Sequence, residues 1–296
     1  MCGHCGCGTE ADTTVLNLET GKETVVRQGL YDHGRLQDHD HPHDHDHPHD
    51  LDHHRPLDHH HLHDPAHHRR RDPSSVVDLE ARILAKNDTL AERNRAWFNG
   101  REILALNLVS SPGAGKTSLL ERTIRDLSRD LRLFVIEGDQ ATANDGERIR
   151  AAGAPAVQVN TGSGCHLEAD MVAHGLQELR PSRGSIVMIE NVGNLVCPAL
   201  FDLGERAKVV ILSVTEGDDK PLKYPHMFRA ADLMILNKID LLPHVDFDVS
   251  RAIANATRIN PAIITLALSA RTNEGLEAWY DWLRREAAAV SDTVFS

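Results

Sequence analysis

Ile103-Leu104-Ala105-Leu106-Asn107-Leu108-Val109-Ser110-Ser111-Pro112-Gly113-Ala114-Gly115-Lys116-Thr117-Ser118 is the stretch on which the fold turns. An aliphatic run of strand length, Ile103 to Val109, leads into two glycines, a lysine and a threonine, and a helical pattern runs on from Ser118 to Leu127. Strand, glycine-rich turn and helix start in this order make a phosphate loop. Gly113 and Gly115 let backbone N–H groups of the stretch Gly113, Ala114, Gly115, Lys116, Thr117 and Ser118 curl around phosphates at a helix N-terminus, where donors are free and the dipole favours anions. Lys116 reaches the terminal phosphates as a point charge, and the Thr117 hydroxyl is placed to bind Mg²⁺. Ser110 stands where the GxxxxGK[ST] pattern has its first glycine.

Six further aliphatic runs lie downstream: Leu131 to Ile136, Ala156 to Val159, Ser185 to Ile189, Lys208 to Val214, Leu233 to Leu236 and Ala262 to Leu268. They alternate with helical patterns, which predicts right-handed crossovers and a mostly parallel sheet flanked by helices on both faces. Val209-Val210-Ile211-Leu212 shows no period of two, as expected of a strand buried on both sides. Upstream, Ser75 and Asp78 make a capping-box-like start, and Leu79, Ile83, Leu90 and Trp97 recur at helical spacing before Gly100. The spacing predicts an amphipathic helix packed on the rest of the domain. Residues 75–296 are therefore read as one α/β domain of the phosphate-loop class.

Two acids lie where strand ends present residues to a ligand: Asp139 after Phe134 to Glu137, and Glu190 after Ile186 to Ile189. Both are candidates to act beside Mg²⁺. The base is read from Asn237-Lys238-Ile239-Asp240, after the Leu233 to Leu236 run. The Asp240 carboxylate can accept both N1–H and N2–H of guanine, and adenine offers no such donor pair. Coming after a phosphate loop, the tetrapeptide matches the guanine-reading motif of GTPases, and Ser269-Ala270 resembles their last motif. GTP and its product GDP are favoured over adenine nucleotides, so the domain is read as a P-loop GTPase. No arginine finger or water-positioning glutamine stands out, so slow intrinsic hydrolysis is expected.

The rest of the chain has a different composition. Residues 1–30 hold a thiol cluster, and residues 31–73 alternate His, Asp and Pro with few aliphatic side chains to bury; this second segment is expected to be disordered. Fifteen of the 20 histidines fall between His33 and His68, a composition suited to weak buffering of borderline metal ions. The net charge of −12 speaks against a nucleic-acid partner, whose phosphates call for clustered Lys and Arg. No apolar run of membrane-spanning length and no export signal is seen, so a cytoplasmic protein without a membrane partner is expected. In that reducing setting the five cysteines are ligands before they are disulfides. Cys2, Cys5 and Cys7 sit within six residues, with His4 between them, and form one candidate metal site. Cys165, His166 and Cys197 form a second; adjacent side chains at Cys165 and His166 diverge unless the loop turns sharply or a second subunit completes the shell. Such soft donors fit Zn²⁺ or Cu(I) as well as Ni²⁺.

These stretches resemble the hydrogenase nickel-incorporation GTPases, the HypB family. The resemblance is carried by Leu108-Val109-Ser110-Ser111-Pro112-Gly113-x-Gly115-Lys116-Thr117, Glu137-Gly138-Asp139, Glu190-Asn191-Val192-Gly193-Asn194-Leu195-Val196-Cys197-Pro198, Asn237-Lys238-x-Asp240 and Cys2-x-x-Cys5-Gly6-Cys7. Ser110 in place of glycine is also how that family's loop looks. The resemblance implies GTP hydrolysis, with Lys116 and Thr117 holding phosphates and Mg²⁺, Asp139 near the attacking water, and Glu190 with Gly193 as the switch. It implies a GTP-dependent homodimer with the Cys165, His166 and Cys197 site near the subunit contact. It further implies a HypA-type zinc- and nickel-binding accessory partner and delivery of nickel to the hydrogenase large subunit precursor.

Two rival readings are a urease nickel-insertion GTPase, which is not expected to carry the Cys2-x-x-Cys5-Gly6-Cys7 tip, and a nickel-storage protein with a vestigial nucleotide site. The second predicts unchanged nickel handling when Lys116→Ala abolishes hydrolysis.

Overall fold

A computed structural model describes residues 13–26, 73–139, 144–162 and 164–292. The thiol tip with Cys2, Cys5 and Cys7, and the histidine tract, lie outside the described residues. In chain order the elements are β1 (Thr14–Asn17), β2 (Glu23–Val25), α1 (Pro73–Asn99), β3 (Leu104–Ser110), α2 (Lys116–Leu127), β4 (Leu133–Asp139), α3 (Asn144–Ala152), β5 (Ala156–Asn160) and α4 (Ala169–Leu179). They continue with β6 (Ile186–Glu190), a short 3-10 helix (Cys197–Ala199), β7 (Ala207–Ser213), α5 (Lys220–Lys223), α6 (Pro225–Ala230), β8 (Leu233–Asn237), a second 3-10 helix (Ile239–His244), α7 (Val249–Ile259), β9 (Ile264–Ala267) and α8 (Leu276–Asp292).

The sheet runs β2-β1-β5-β4-β6-β3-β7-β8-β9. All seven strands expected from the aliphatic runs are there, and they pair with one another in parallel. Every residue of β3, β6, β7 and β8 is buried, which is why those segments read as continuous apolar runs. Along β3, Leu104, Leu106 and Leu108 face one apolar cluster with Leu119 and Ile124 of α2 and Trp279 of α8. Ala105 faces a second cluster containing Phe98 of α1 and Val172 and Leu176 of α4. A third cluster, with Met227 and Phe228 of α6 and Ala252 of α7, covers the β7 and β8 end of that face. Trp279 is fully buried and donates its indole N–H to Thr123 Oγ1 at 2.9 Å, tying α8 to α2.

Two features depart from the sequence expectation. Residues 14–25, expected with the rest of 1–30 to form a metal-binding segment outside the domain, make a hairpin whose β1 pairs antiparallel with β5, Val15 opposite Val159. β5 would otherwise leave an open edge, and this short hairpin covers it. The helix expected from Ser75 is present but starts at Pro73, a residue favoured at a first helical position. Its buried line is also rotated. Asn87, Ala91, Asn94 and Phe98 are buried, whereas Ile83 is 44% exposed and Leu90 and Trp97 are half-buried. An apolar count could not find that face, because two of its four members are asparagines.

Deleting residues 1–26 removes Val15 and Val26, which are buried against the sheet, and should cost about 3 kcal/mol by loss of two buried Val side chains. Thermal unfolding of the truncated chain should show a Tm lower by about 6–12 °C; an unchanged Tm would mean that the hairpin adds nothing to the domain.

Candidate nucleotide and metal site

The phosphate loop leaves β3 at the carboxyl edge of the sheet and enters α2 at Gly115, whose φ of 95° lies in the left-handed region. A Cβ there would sit 2.6 Å from Asn237 Nδ2, so the position requires glycine on both counts. Lys116 and Thr117 are each only 8% exposed. Lys116 Nζ donates to Ser110 Oγ at 2.9 Å, so the serine in the glycine position holds the lysine over the loop. Thr117 Oγ1 donates to Glu190 Oε1 at 2.7 Å. The cleft above them, about 520 Å³, is lined by the loop, by Glu137, Glu190, Val192 and Gly193, and by Asp145 and Arg148 of α3.

Glu190 is 4% exposed, and its Oε2 has no hydrogen-bond partner among the described residues. Burial pushes its carboxyl up to about 7, against the opposing pull of the Lys116 cation and the Thr117 hydroxyl. The same burial lowers the Lys116 pKa, partly offset by Glu190. An orphaned buried carboxylate oxygen beside a threonine hydroxyl is an oxygen donor set fitting a hard divalent cation such as Mg²⁺. Asp139 ends β4 one strand away from Glu190, at the same edge; its side chain lies outside the described residues.

Next to this cleft a second opening of about 480 Å³ is lined by Asn237, Lys238, Asp240, Ser269 and Ala270, with Ser118 and Arg122 of α2. Asn237 knits the loops together. Its Nδ2 donates to Ala114 O at 2.9 Å, and its Oδ1 accepts from Lys238 N at 2.8 Å and Ala270 N at 3.3 Å. Lys238 Nζ donates to Gly113 O at 2.7 Å, and Ser269 Oγ donates to Asp240 Oδ1 at 2.6 Å, which orients the carboxylate. All base-reading candidates thus converge on one opening beside the phosphate loop.

Cys165, His166 and Cys197 also converge, with donor atoms all within 4.8 Å of one another. Cys165 Sγ lies 3.0 Å from Cys197 Sγ and 3.6 Å from His166 Nδ1, and both thiols are free of disulfide bonds. Two thiolates on one ion at about 2.3 Å stand roughly 3.3 Å apart at a right angle and about 3.8 Å apart tetrahedrally, so a small opening of the pair admits a metal. The loop turns sharply enough to bring neighbours together: Gly164 N donates to Thr161 O, and Thr161 Oγ1 to Gly164 O, each at 2.8 Å. The His166 ring packs on Phe201 with centroids 3.9 Å apart, and burial pushes its pKa down to about 4, which keeps the imidazole neutral and able to ligate.

Asn191, directly after Glu190, spans the two centres. Its Oδ1 accepts from Leu167 N at 3.1 Å, and its Nδ2 donates to Asn107 Oδ1 of β3 at 3.2 Å. Asn194 Nδ2 donates to Cys165 O at 3.2 Å. The segment beginning at the Thr117 partner therefore grips the Cys165 loop before delivering Cys197. Arg148, which the sequence reading does not single out, sits on the wall of the phosphate cleft and donates to both carboxylate oxygens of Glu121 at 3.2 and 3.0 Å. Nothing in its sequence neighbourhood marks it.

Residues 104–266 match the family described as CobW/HypB/UreG, nucleotide-binding domain. The chain is 62% identical over 213 residues to the hydrogenase maturation factor HypB of Rhizobium leguminosarum bv. viciae, an alignment covering 72% of this chain and 71% of that protein. The chain belongs to the HypB family of hydrogenase maturation factors. The HypB of Cupriavidus necator aligns over 98% of this chain and 90% of its own length at 46% identity. HypB from Archaeoglobus fulgidus has a solved structure similar to this one, with a TM-score of 0.65 and 41% identity over 69% of this chain and 99% of that chain. HypB from Helicobacter pylori, solved in complex with nickel, gives a TM-score of 0.65 and 38% identity over 69% of this chain and 96% of that chain. The chain is thus an α/β nucleotide-binding protein of the phosphate-loop GTPase fold. Among the described residues no helix is long and apolar enough to cross a membrane.

The buried Glu190 makes a pH prediction for the nucleotide-free protein. A carboxyl raised from 4.5 to about 7 favours the folded state when protonated, so its contribution is full below pH 4.5 and is lost as pH rises through 7. At about 1.4 kcal/mol per unit the loss is about 3 kcal/mol. Unfolding free energies from urea titrations at pH 4 to 8 should fall in the wild type by that much more than in Glu190→Gln; parallel profiles would place the Glu190 carboxyl in a solvated environment.

Proposed function

We propose that this chain is a GTP hydrolase that binds nickel at Cys165, His166 and Cys197 and hands it on during maturation of a [NiFe]-hydrogenase. The observation that carries the reading is the continuous segment Glu190 to Cys197, which begins at the Thr117 hydroxyl and ends at a thiol 3.0 Å from Cys165 Sγ.

In this reading Gly113, Ala114, Gly115 and Ser118 offer backbone donors to the phosphates, Lys116 leaves Ser110 to meet them, and Asn237, Lys238, Asp240, Ser269 and Ala270 select guanine. Thr117 and Glu190 would hold Mg²⁺, and Asp139 would act beside it. When bound, Mg²⁺ neutralises charge on the β- and γ-phosphate oxygens. Gly193 follows the γ-phosphate, and Glu190 would serve the cation as a carboxylate. Nickel is the cargo: neutral His166 and two thiols are donors suited to it, and the nickel complex of the H. pylori relative supports the assignment. Zn²⁺ competes for the same donors. The Cys2, Cys5 and Cys7 tip and the histidine tract serve as further metal-binding stations. The active form is a GTP-dependent cytoplasmic homodimer that works with a HypA-type accessory protein and the hydrogenase large subunit precursor.

Asp240→Asn replaces the acceptor for guanine N1–H and N2–H with an amide. GTP hydrolysis should lose at least about 100-fold in kcat/KM, while xanthosine triphosphate, which offers an acceptor at that edge, gains. Unchanged selectivity would remove Asp240 from the base site. Cys197→Ala should weaken nickel binding to the folded domain with GDP affinity retained, and equal nickel affinity would leave that thiol a structural role only.

A further inference from the structure

α1 buries polar groups where an amphipathic helix is expected to bury apolar ones, and the groups it meets are the roots of both metal-bearing loops. Asn87 and Asn94 are 3% and 5% exposed. Asn87 Nδ2 donates to Asp202 O at 2.8 Å, and its Oδ1 accepts from Ala169 N at 2.9 Å. Asn94 Nδ2 gives one hydrogen to Ala169 O at 2.8 Å and the other to Leu203 O at 3.0 Å. Ala169 opens α4 just after His166, and Asp202 and Leu203 close the loop that carries Cys197. Each asparagine therefore has one hand on the Cys165 and His166 loop and the other on the Cys197 loop.

The surrounding contacts point the same way. Arg95 donates to both Asp202 carboxylate oxygens at 2.7 and 2.6 Å. Gly204 lies so close to α1 that a Cβ on it would be 2.5 Å from Ala91 O. Phe201, beside Asp202, carries the ring against which His166 rests. A helix needing only to stick to the sheet would fill these places with Ala and Leu, as Ala91 and Phe98 do on the same line; two buried amides instead fix distances between four backbone groups.

The geometry points to Asn87 and Asn94 as positioning residues of the metal site. Their amides set the separation between the Cys165 and His166 donors on one side and Cys197 on the other, although neither touches the metal. The inference rests on the reading of that trio as a metal site. Groups that orient ligands from outside the coordination shell are worth about 10- to 100-fold in metal affinity.

The test uses the full chain carrying Cys2→Ser, Cys5→Ser and Cys7→Ser, in which thiolate-to-nickel charge-transfer absorption reports only Cys165 and Cys197. Asn87→Ala and Asn94→Ala should each weaken nickel binding by about tenfold or more, with GDP affinity unchanged. Trp279→Phe, which loses the α8 bond to Thr123 on the opposite face, should lower Tm without moving nickel affinity. Should either asparagine variant fail to fold, Arg95→Ala releases Asp202 from a half-exposed position and should shift nickel affinity in the same direction. Parent-like nickel affinity in the folded variants, or equal losses of nickel and GDP affinity, would overturn the inference. A parent without the absorption band removes the metal reading itself, and this inference with it.

Discussion

β3 and β6 pair in parallel with Leu108 opposite Glu190, and Asn191 N extends that ladder onto Leu108 O. Because parallel strands end at the same edge, this register makes the phosphate loop and the Glu190 segment leave the sheet side by side. Thr117 can then reach Glu190 at the first turn of α2. A slip of one residue would turn Glu190 to the other face and bring Asn191 into its place. The nucleotide cleft, the grip of Asn191 on Leu167 and the delivery of Cys197 to Cys165 all depend on that pairing.

Burying Glu190 and Lys116 near each other works against stability. Desolvation raises the pKa of the acid to about 7 and lowers that of the base. A sheet built for stability alone would place aliphatic side chains there. A phosphate or a divalent cation entering this cleft would meet charges with little solvent around them, which would make its arrival a large local electrostatic event. Asn191 is tied to β3 on one side and to the Cys165 loop on the other, and that event occurs one residue away from it. α1 in turn holds the start of α4, after His166, and the end of the loop carrying Cys197, through Asn87, Asn94 and Arg95.

Where the sequence was legible, a local pattern had a single physical cause. Strands buried on both faces must be largely aliphatic, which made β3 to β8 visible, and the half-exposed edge strand β9 was still marked by its aliphatic run; most ends were displaced by one or two residues. The phosphate loop and the Asn237-Lys238-Ile239-Asp240 stretch were visible because backbone geometry and hydrogen-bond chemistry leave few alternatives. The β1–β2 hairpin was missed because strands of four and three residues carry too little periodicity. The buried face of α1 was misjudged because Asn87 and Asn94 are polar and Ile83 is exposed. Convergence of Cys165 with His166 depends on a turn held by Thr161 and Gly164, which spacing cannot show. Arg148 reaches the cleft from α3 only through tertiary packing.

The most direct test is nickel titration of the chain carrying Cys2→Ser, Cys5→Ser and Cys7→Ser, loaded with GDP or with a non-hydrolysable GTP analogue and Mg²⁺. The chain must be otherwise full-length, because truncation before α1 strips β1 from the β5 edge. The account predicts nickel affinities differing by about tenfold between the two nucleotide states, within the usual range of coupling between linked sites, with nickel shifting the affinity ratio of the nucleotides by the same factor. Superimposable curves would contradict it, showing that the segment from Glu190 to Cys197 joins the two centres without carrying energy between them.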